Sequence, residues 1–438
     1  MTSLNRLLNC LDSIVDARTG IITSCYELPP EADAPQFFHY YASSSDTSAF
    51  SAQDNFKNNG GVAQSRRMAI AKAVGEAVER YSSALYDRDE MPFVSADEAD
   101  FACIDLNHFK FYSPDQYADP NFVFNEPSNS LPIRWTEAFS LTGGSTVHVP
   151  AASVWMPYYF VPENGELPIM QPISTGLSCH CSYAEATLGG LLEVVERDSF
   201  SLTWQGSLSW PIIRAESLDK DNYTLLREIE KTGYRIELVN AATELGVPVI
   251  LSIGVALQKP NPPIVVGASA SLDPSEAIKK SLEEFVHTRR YMREVQDWGE
   301  PFEVEPDFTN IHQQIHHLRL WGEYSMLPHA KFLTASEDEI DFEDIPNLSK
   351  NDPLKDVAEL INILQRHGFD PLSIDLTSPD IAELGLVVTR SLVPGLHPFF
   401  IGHENRARRS PRLFSIPQRC GHSAIEPGAD NPVPHLFP

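Results

Sequence analysis

The stretch STGLSCHCSYAEATLGGLLEVVERDSF, Ser174 to Phe200, decides how this chain is organised. It breaks into helix at Ser182, where Glu185 stands three residues later in a capping-box pattern. Leu188, Leu191, Leu192 and Val195 recur at helical spacing and form a buried stripe. Glu185, Glu193 and Glu196 line one flank with Gly189 between them. A glycine inside a helix costs about 1 kcal/mol relative to alanine, so something is expected to approach the helix closely there.

Two other segments repeat the design. From Arg67 to Tyr86, Ile70, Val74, Ala77, Val78, Tyr81 and Leu85 make an apolar stripe, with Lys72, Glu76 and Glu79 opposite. A third helix opens with Asp273-Pro274-Ser275-Glu276, an N-cap followed by proline and an acid. Its Ile278, Leu282, Phe285 and Val286 face inward, while Glu284, His287 and Tyr291 share the other face. β-like runs lie at Val247 to Ala256, Ile264 to Ala270 and Leu384 to Val393. Helices and strands do not alternate in a short βα rhythm, so the expected fold class is α+β. Residues 1–58, with Pro29, Pro30, Pro35 and a Ser-rich run, read as an N-terminal arm; 59–428 read as the main domain and 429–438 as a Pro-rich tail. No repeat period is visible.

The 438 residues are 42% apolar and 21% charged, which describes a globular protein. Lys plus Arg number 33 against 60 Asp plus Glu, a formal net charge of −27. Such a surface repels nucleic acid and anionic lipid, and a peptide is the better partner. Six scattered cysteines do not make a disulfide framework, and Cys179-His180-Cys181 lacks further ligands at zinc spacing. No apolar run has signal-peptide or membrane-span length, so the expected location is cytoplasmic.

The pattern Glu-x-x-Glu-Arg occurs twice, at Glu76-Ala77-Val78-Glu79-Arg80 and Glu193-Val194-Val195-Glu196-Arg197. Carboxylates at i and i+3 share a helix face and suit a hard divalent ion. By periodicity alone the first pair reads as a solvated face, with Lys72 placed to pair with Glu76. Glu185 is explained by its capping box. For the second pair a magnesium site and a partly exposed acid cluster both stand. There is no GxxxxGK[ST], no GxGxxG after a strand, no HExxH and no GxSxG.

Longer motifs go further. GEAVERYSSALYD (Gly75 to Asp87), the opening stretch, VVGASASLDPSEAIKKSLEEFVHTRR (Val265 to Arg290) and RSLVPGLHPFFIGHENRARR (Arg390 to Arg409), in this order, resemble the YcaO family. SIVDARTGIITSCYELPPEADAP (Ser13 to Pro35) resembles its azoline-forming cyclodehydratase branch. The resemblance implies a YcaO-type fold with mixed or antiparallel sheets and helices enclosing an ATP pocket. It implies ATP and Mg2+ as cofactors, with Glu76, Glu79, Glu185, Glu193 and Glu196 as metal ligands. Lys72, Cys181, Arg197, Glu284, His287 and Arg289 join these acids at the nucleotide. Val62 stands where relatives often carry a lysine, Cys181 where asparagine is common, and Leu436 where the terminal PxPxP has its middle proline.

The implied reaction is ATP-dependent cyclodehydration of Cys, Ser or Thr in a ribosomally made precursor peptide. Pro438 is the implied catalytic residue, through its terminal carboxylate. Thioamide or amidine formation, or a non-catalytic accessory role, are the alternatives. The implied partners are the precursor peptide, a leader-binding protein of the ocin-ThiF or E1-like type, and a second copy in a homodimer. The tail and the nucleotide pocket, hundreds of residues apart in sequence, are expected to act independently.

Overall fold

The computed structural model describes residues 3–31, 33–49, 51, 53–298 and 302–437. Among these no helix is long and apolar enough to cross a membrane. The chain forms two compact units. One comprises Met1–Pro29, Phe38–Val194 and Lys350–Gly395; the other comprises Pro30–Phe37, Val195–Ser349 and Leu396–Pro438.

In the first unit, short helices α1 (Ser3–Asn9) and α2 (Leu11–Ile14) lead into the antiparallel meander β1 (Ile22–Glu27), β2 (Phe38–Ser44) and β3 (Asn58–Ala63). Helix α3 (Arg66–Ser83) follows, with the Ser65 hydroxyl accepting from the Met68 amide as its N-cap. Val74, Ala77, Val78 and Tyr81 of α3 are buried in a cluster with Ile14, Ile22 and Ala42, so the expected stripe faces the meander. A second, antiparallel sheet runs β4 (Phe93–Val94), β5 (Ile133–Ser140), β13 (Leu372–Asp375), β14 (Val387–Leu392), β7 (Leu177–His180), with β6 (Thr146–Pro150) on the other side of β5. Helices α4 (Pro114–Ala118), α9 (Pro353–Arg366) and α10 (Pro379–Glu383) complete the unit, and α5 (Tyr183–Gln205) begins in it.

In the second unit the sheet order is β11 (Ile264–Ala270), β10 (Val249–Ala256), β9 (Tyr234–Asn240), β8 (Ile212–Ile213), β12 (Glu339–Ile340), antiparallel except for β12 on β8. Helix α6 (Lys220–Glu230) packs on β9, and α7 (Pro274–Trp298) lies on β10 and β11 with Ile278, Leu282, Phe285 and Val286 buried. Helices α8 (Gln314–Leu320) and α11 (Pro411–Arg419) complete it.

Both units therefore contain a three-stranded antiparallel meander followed by one long helix lying across it. Sequence inspection shows no repeat because the arrangement recurs without a residue pattern. What recurs physically is a glycine that lets strand and helix touch. A Cβ on Gly61 of β3 would lie 2.2 Å from the Ala69 carbonyl oxygen of α3, and one on Gly267 of β11 would lie 2.1 Å from that of Ser281 in α7.

The chain divides differently from the expected boundaries at residues 58 and 428. The first 58 residues are no separate arm, because β1 and β2 pair with β3 and close the sheet beneath α3. The Pro-rich end is no loose tail either: Val433, Leu436 and Phe437 are buried. Apolar side chains at these positions reach a core that the local composition does not announce.

Gly61→Ala is expected to destabilise the protein by about 2 kcal/mol or more, the range of an overpacked core position. Gly75→Ala within α3, where an added Cβ meets nothing within 4 Å, should be neutral or stabilising by up to about 1 kcal/mol. Urea denaturation of the two variants checks both signs.

Candidate active site

The first unit gathers three of the expected acids. Glu76 and Glu79 leave α3 one turn apart, and Arg80 of the same helix pairs with both, Nη2 at 3.5 Å from Glu76 and Nη1 at 3.4 Å from Glu79. The Gly60 amide on β3 donates to Glu76 at 2.9 Å, and the Gly176 amide donates to Glu193 of α5 at 3.1 Å. Burial pushes the Glu79 carboxyl up to about 8 against the pull of Arg80, and the charges of Glu193 and Glu76 push the same way. Arg390, on β14 and 3% exposed, lies under these acids. Burial pulls its guanidinium down to about 10 against the pull of Glu193 and Glu79. Its Nη2 donates to the Ile173 carbonyl at 2.9 Å, while Nε and Nη1 are buried with no hydrogen-bond acceptor.

Carboxyl groups crowded together, which a cation would relieve, and a guanidinium with unused donors fit a cation and an anion respectively. Among the described residues no three His, Cys, Asp or Glu side chains make a ready-formed metal cage. Mg2+ usually takes one or two carboxylates and completes its shell with water and phosphate oxygens.

The second unit holds the rest of the α5 motif. Glu196 accepts from the Ala270 amide at 3.1 Å and pairs with Arg197 at 3.3 Å. The Arg197 guanidinium lies 4.4 Å from the Phe437 ring centroid and 5.3 Å from that of Phe399. Glu284 is exposed and His287 half-buried on α7, whereas the neighbouring Glu283 is buried. Arg289 is almost wholly enclosed and donates to Glu31 at 3.1 Å and to Asn261 at 3.0 Å. The acids of the 30–37 segment thus neutralise it.

Other expected residues are placed differently. Glu185 accepts from Ser3 at 2.6 Å and from Ser182 at 2.8 Å, and its own amide donates to Ser182. The Ser182 hydroxyl therefore caps the Glu185 amide and donates to its carboxylate, and α1 is tied to the same acid. The Cys181 thiol donates to the Ser3 carbonyl at 3.4 Å and lies in the core cluster, where burial raises its pKa. Lys72 sits on the turn of α3 that touches β3 at Gly61. Val62 is a buried strand residue of β3. Gly189 does admit a close neighbour, but it is β7: an added Cβ would meet the Ser178 hydroxyl at 2.6 Å. Pro438 lies outside the described residues.

Arg80 and Arg390 stand beside Glu76, Glu79 and Glu193, and sequence reasoning left both without a role. Arg80 carried a signal, since it occupies the Arg197 position of the twin motif. Arg390 carried a fainter one, an arginine within an apolar strand-like run.

The Glu79 carboxyl also sets a pH dependence. Its folded pKa is raised, so the stability it contributes is complete below the ordinary carboxylate pKa and is lost as pH rises toward about 8. The melting temperature of Glu79→Gln minus that of the wild type should therefore increase between pH 5 and pH 8.5. Added Mg2+ at the upper pH should narrow the gap by stabilising the wild type alone. Differential scanning fluorimetry across a pH series measures both.

Residues 60–397 match the family model described as YcaO cyclodehydratase, ATP- and Mg2+-binding. Three solved structures are similar. A heterocyclase in complex with substrate and cofactor superposes with a TM-score of 0.83 at 22% identity, covering 100% of this chain and 58% of that one. The heterocyclase TruD gives 0.67 at 25% identity over 84% of this chain and 50% of its own. YcaO from Methanopyrus kandleri, bound with AMPPCP and Mg2+, gives 0.64 at 19% identity over 90% and 91%. The chain thus spans only 50–58% of the two heterocyclases and nearly all of the archaeal protein. With the α+β architecture and the matched segment taken together, this chain belongs to the YcaO cyclodehydratase family, whose members bind ATP and Mg2+.

Proposed function

We propose that the protein is an ATP-dependent cyclodehydratase that converts Cys, Ser or Thr of a precursor peptide into thiazoline or oxazoline. The observation that carries this reading is the group of partly buried Glu76, Glu79, Glu193 and Arg80 gathered with the buried Arg390. It combines candidate ligands for Mg2+ with guanidinium donors for phosphate in a chain that has no phosphate loop.

In the reaction a substrate thiol or hydroxyl adds to the preceding carbonyl carbon and loses its proton. The former amide oxygen must then depart, and as hydroxide it is a poor leaving group. Bound ATP would supply the phosphoryl group that lets this oxygen leave as phosphate, with ADP released and the amide nitrogen giving up its proton as the C=N bond forms, and Mg2+ would offset the charge. One or two of the Glu76, Glu79 and Glu193 carboxylates would hold the metal; Glu196 and Arg197, further along α5, are proposed as additional nucleotide contacts. Arg390 and Arg80 would orient phosphate oxygens, a role that a planar guanidinium fills better than an ammonium.

Capture of the precursor is proposed to involve a leader-binding partner of the E1-like type, and the working form is proposed to be a homodimer.

Wild-type protein should bind ATP with Mg2+, and Glu193→Gln should weaken binding by about tenfold or more, the effect of losing a charged contact of ~1.5–3 kcal/mol. Unchanged affinity by calorimetry would remove the site assignment. With its partner and a leader-bearing peptide, ring formation should appear as loss of one water mass per modified residue. A gain of sulfur in place of oxygen would identify thioamide chemistry instead.

A further inference from the structure

The end of the chain is held by its backbone in a way that the proposed reaction does not by itself require. The Asn431 amide donates to the Gln205 carbonyl at 2.8 Å, and the Asn431 side chain donates to the Trp204 carbonyl at 3.1 Å. The carbonyls of Val433, Pro434 and His435 each receive a donor from a different buried side chain. Trp204 Nε1 donates to Val433 at 2.8 Å, Trp321 Nε1 to Pro434 at 2.9 Å, and His317 Nδ1 to His435 at 2.8 Å.

The Gly402 amide donates to His317 Nε2, which fixes the tautomer: Nε2 accepts, so the proton is on Nδ1 and points at the tail. The His435 ring stacks on that of His317 with centroids 4.1 Å apart, and its Nε2 lies 2.8 Å from the Phe400 carbonyl. Pro432 and Pro434 have no amide hydrogen to satisfy, so donors aimed at carbonyls suffice to hold the segment. The ladder ends at Phe437, whose ring packs 4.6 Å from that of Phe200 and 4.4 Å from the Arg197 guanidinium. Arg197 in turn pairs with Glu196.

We propose that Trp204, Trp321 and His317 are positioning residues that seat the segment 433–437, and that the seated Phe437 holds Arg197 in its phosphate-binding orientation. This rests on the proposed nucleotide reading of Glu196 and Arg197. Seating of the tail and binding of ATP are then linked, and linkage is reciprocal: each favours the other by the same factor. The independence expected from sequence separation is lost because α5 and the tail meet in one unit.

The test compares Phe437→Leu, Phe437→Tyr and Trp321→Phe with wild-type protein for binding of ATP with Mg2+ by calorimetry, with melting temperature as the control for folding. Phe437→Leu keeps an apolar side chain but loses the aromatic face, and its ATP affinity should fall about fivefold, the size of one partly buried cation–π contact. Phe437→Tyr should restore wild-type affinity, a rescue that a merely structural role would not give. Trp321→Phe removes one rung and should weaken ATP binding while leaving Arg197 and Glu196 unaltered. In wild-type protein, ATP with Mg2+ should slow hydrogen exchange at the amides of residues 435–437.

Wild-type affinity in Phe437→Leu, with Glu193→Gln still impaired, would overturn the coupling and leave the nucleotide site standing. Equal weakening in Phe437→Leu and Phe437→Tyr would also overturn it. Failure of the wild-type chain to bind ATP would remove the nucleotide reading and the coupling with it.

Discussion

The gathering of three carboxyls and two guanidinium groups in a partly buried space is the constraint around which the first unit is arranged. Glu79 sits on the strongly packed helix α3, within range of two other acids and two guanidinium groups. Replacing such a cluster by apolar side chains of similar volume is often neutral or stabilising, so its presence is poor evidence of a stabilising role. Arg390 reinforces the point, because a buried guanidinium with two unused nitrogens is costly unless an anion completes it. The cluster makes physical sense as half of a binding equilibrium, with cation and phosphate as the other half.

The scaffold that permits this is simple. In each unit a meander turns into a helix that crosses it, and a strand glycine brings the two backbones into contact at Gly61 and Gly267. Close approach places strand amides within reach of helix carboxylates. The Gly60 amide thus holds Glu76 of α3; in the other unit the Ala270 amide, at the end of β11, holds Glu196, which comes from α5 and not from the crossing helix α7. Backbone donors are preferable to side chains for this purpose, because they orient an acid without competing for its charge and have no rotamer to lose.

At the end of the chain the same economy recurs with roles reversed. Here the backbone supplies acceptors, and Trp204, Trp321 and His317 supply donors from rigid rings with few torsions to freeze. His317 is held neutral, its pKa pulled down to about 4 by burial, and burial likewise holds His435 well below the usual imidazole range. Ordinary pH therefore leaves both rings uncharged and able to stack.

The sequence by itself determined the three long helices, their caps and their buried stripes, because helical periodicity and capping are local: Ser182, Asp273 and the stripes of α3 and α7 are set by residues three or four apart. It also held the acids, the family motifs and the α+β class. Only the tertiary structure decided which acids meet. Glu79 and Glu193 are joined by a chain path of more than a hundred residues, and no spacing rule connects them. The roles of Arg390 and Phe437, the pinning of Arg289 by Glu31, the binding of Glu185 to Ser3 and the burial of the tail share one cause. Each depends on which non-local side chain arrives in low dielectric beside it, and that is fixed by packing rather than by any neighbour in the sequence.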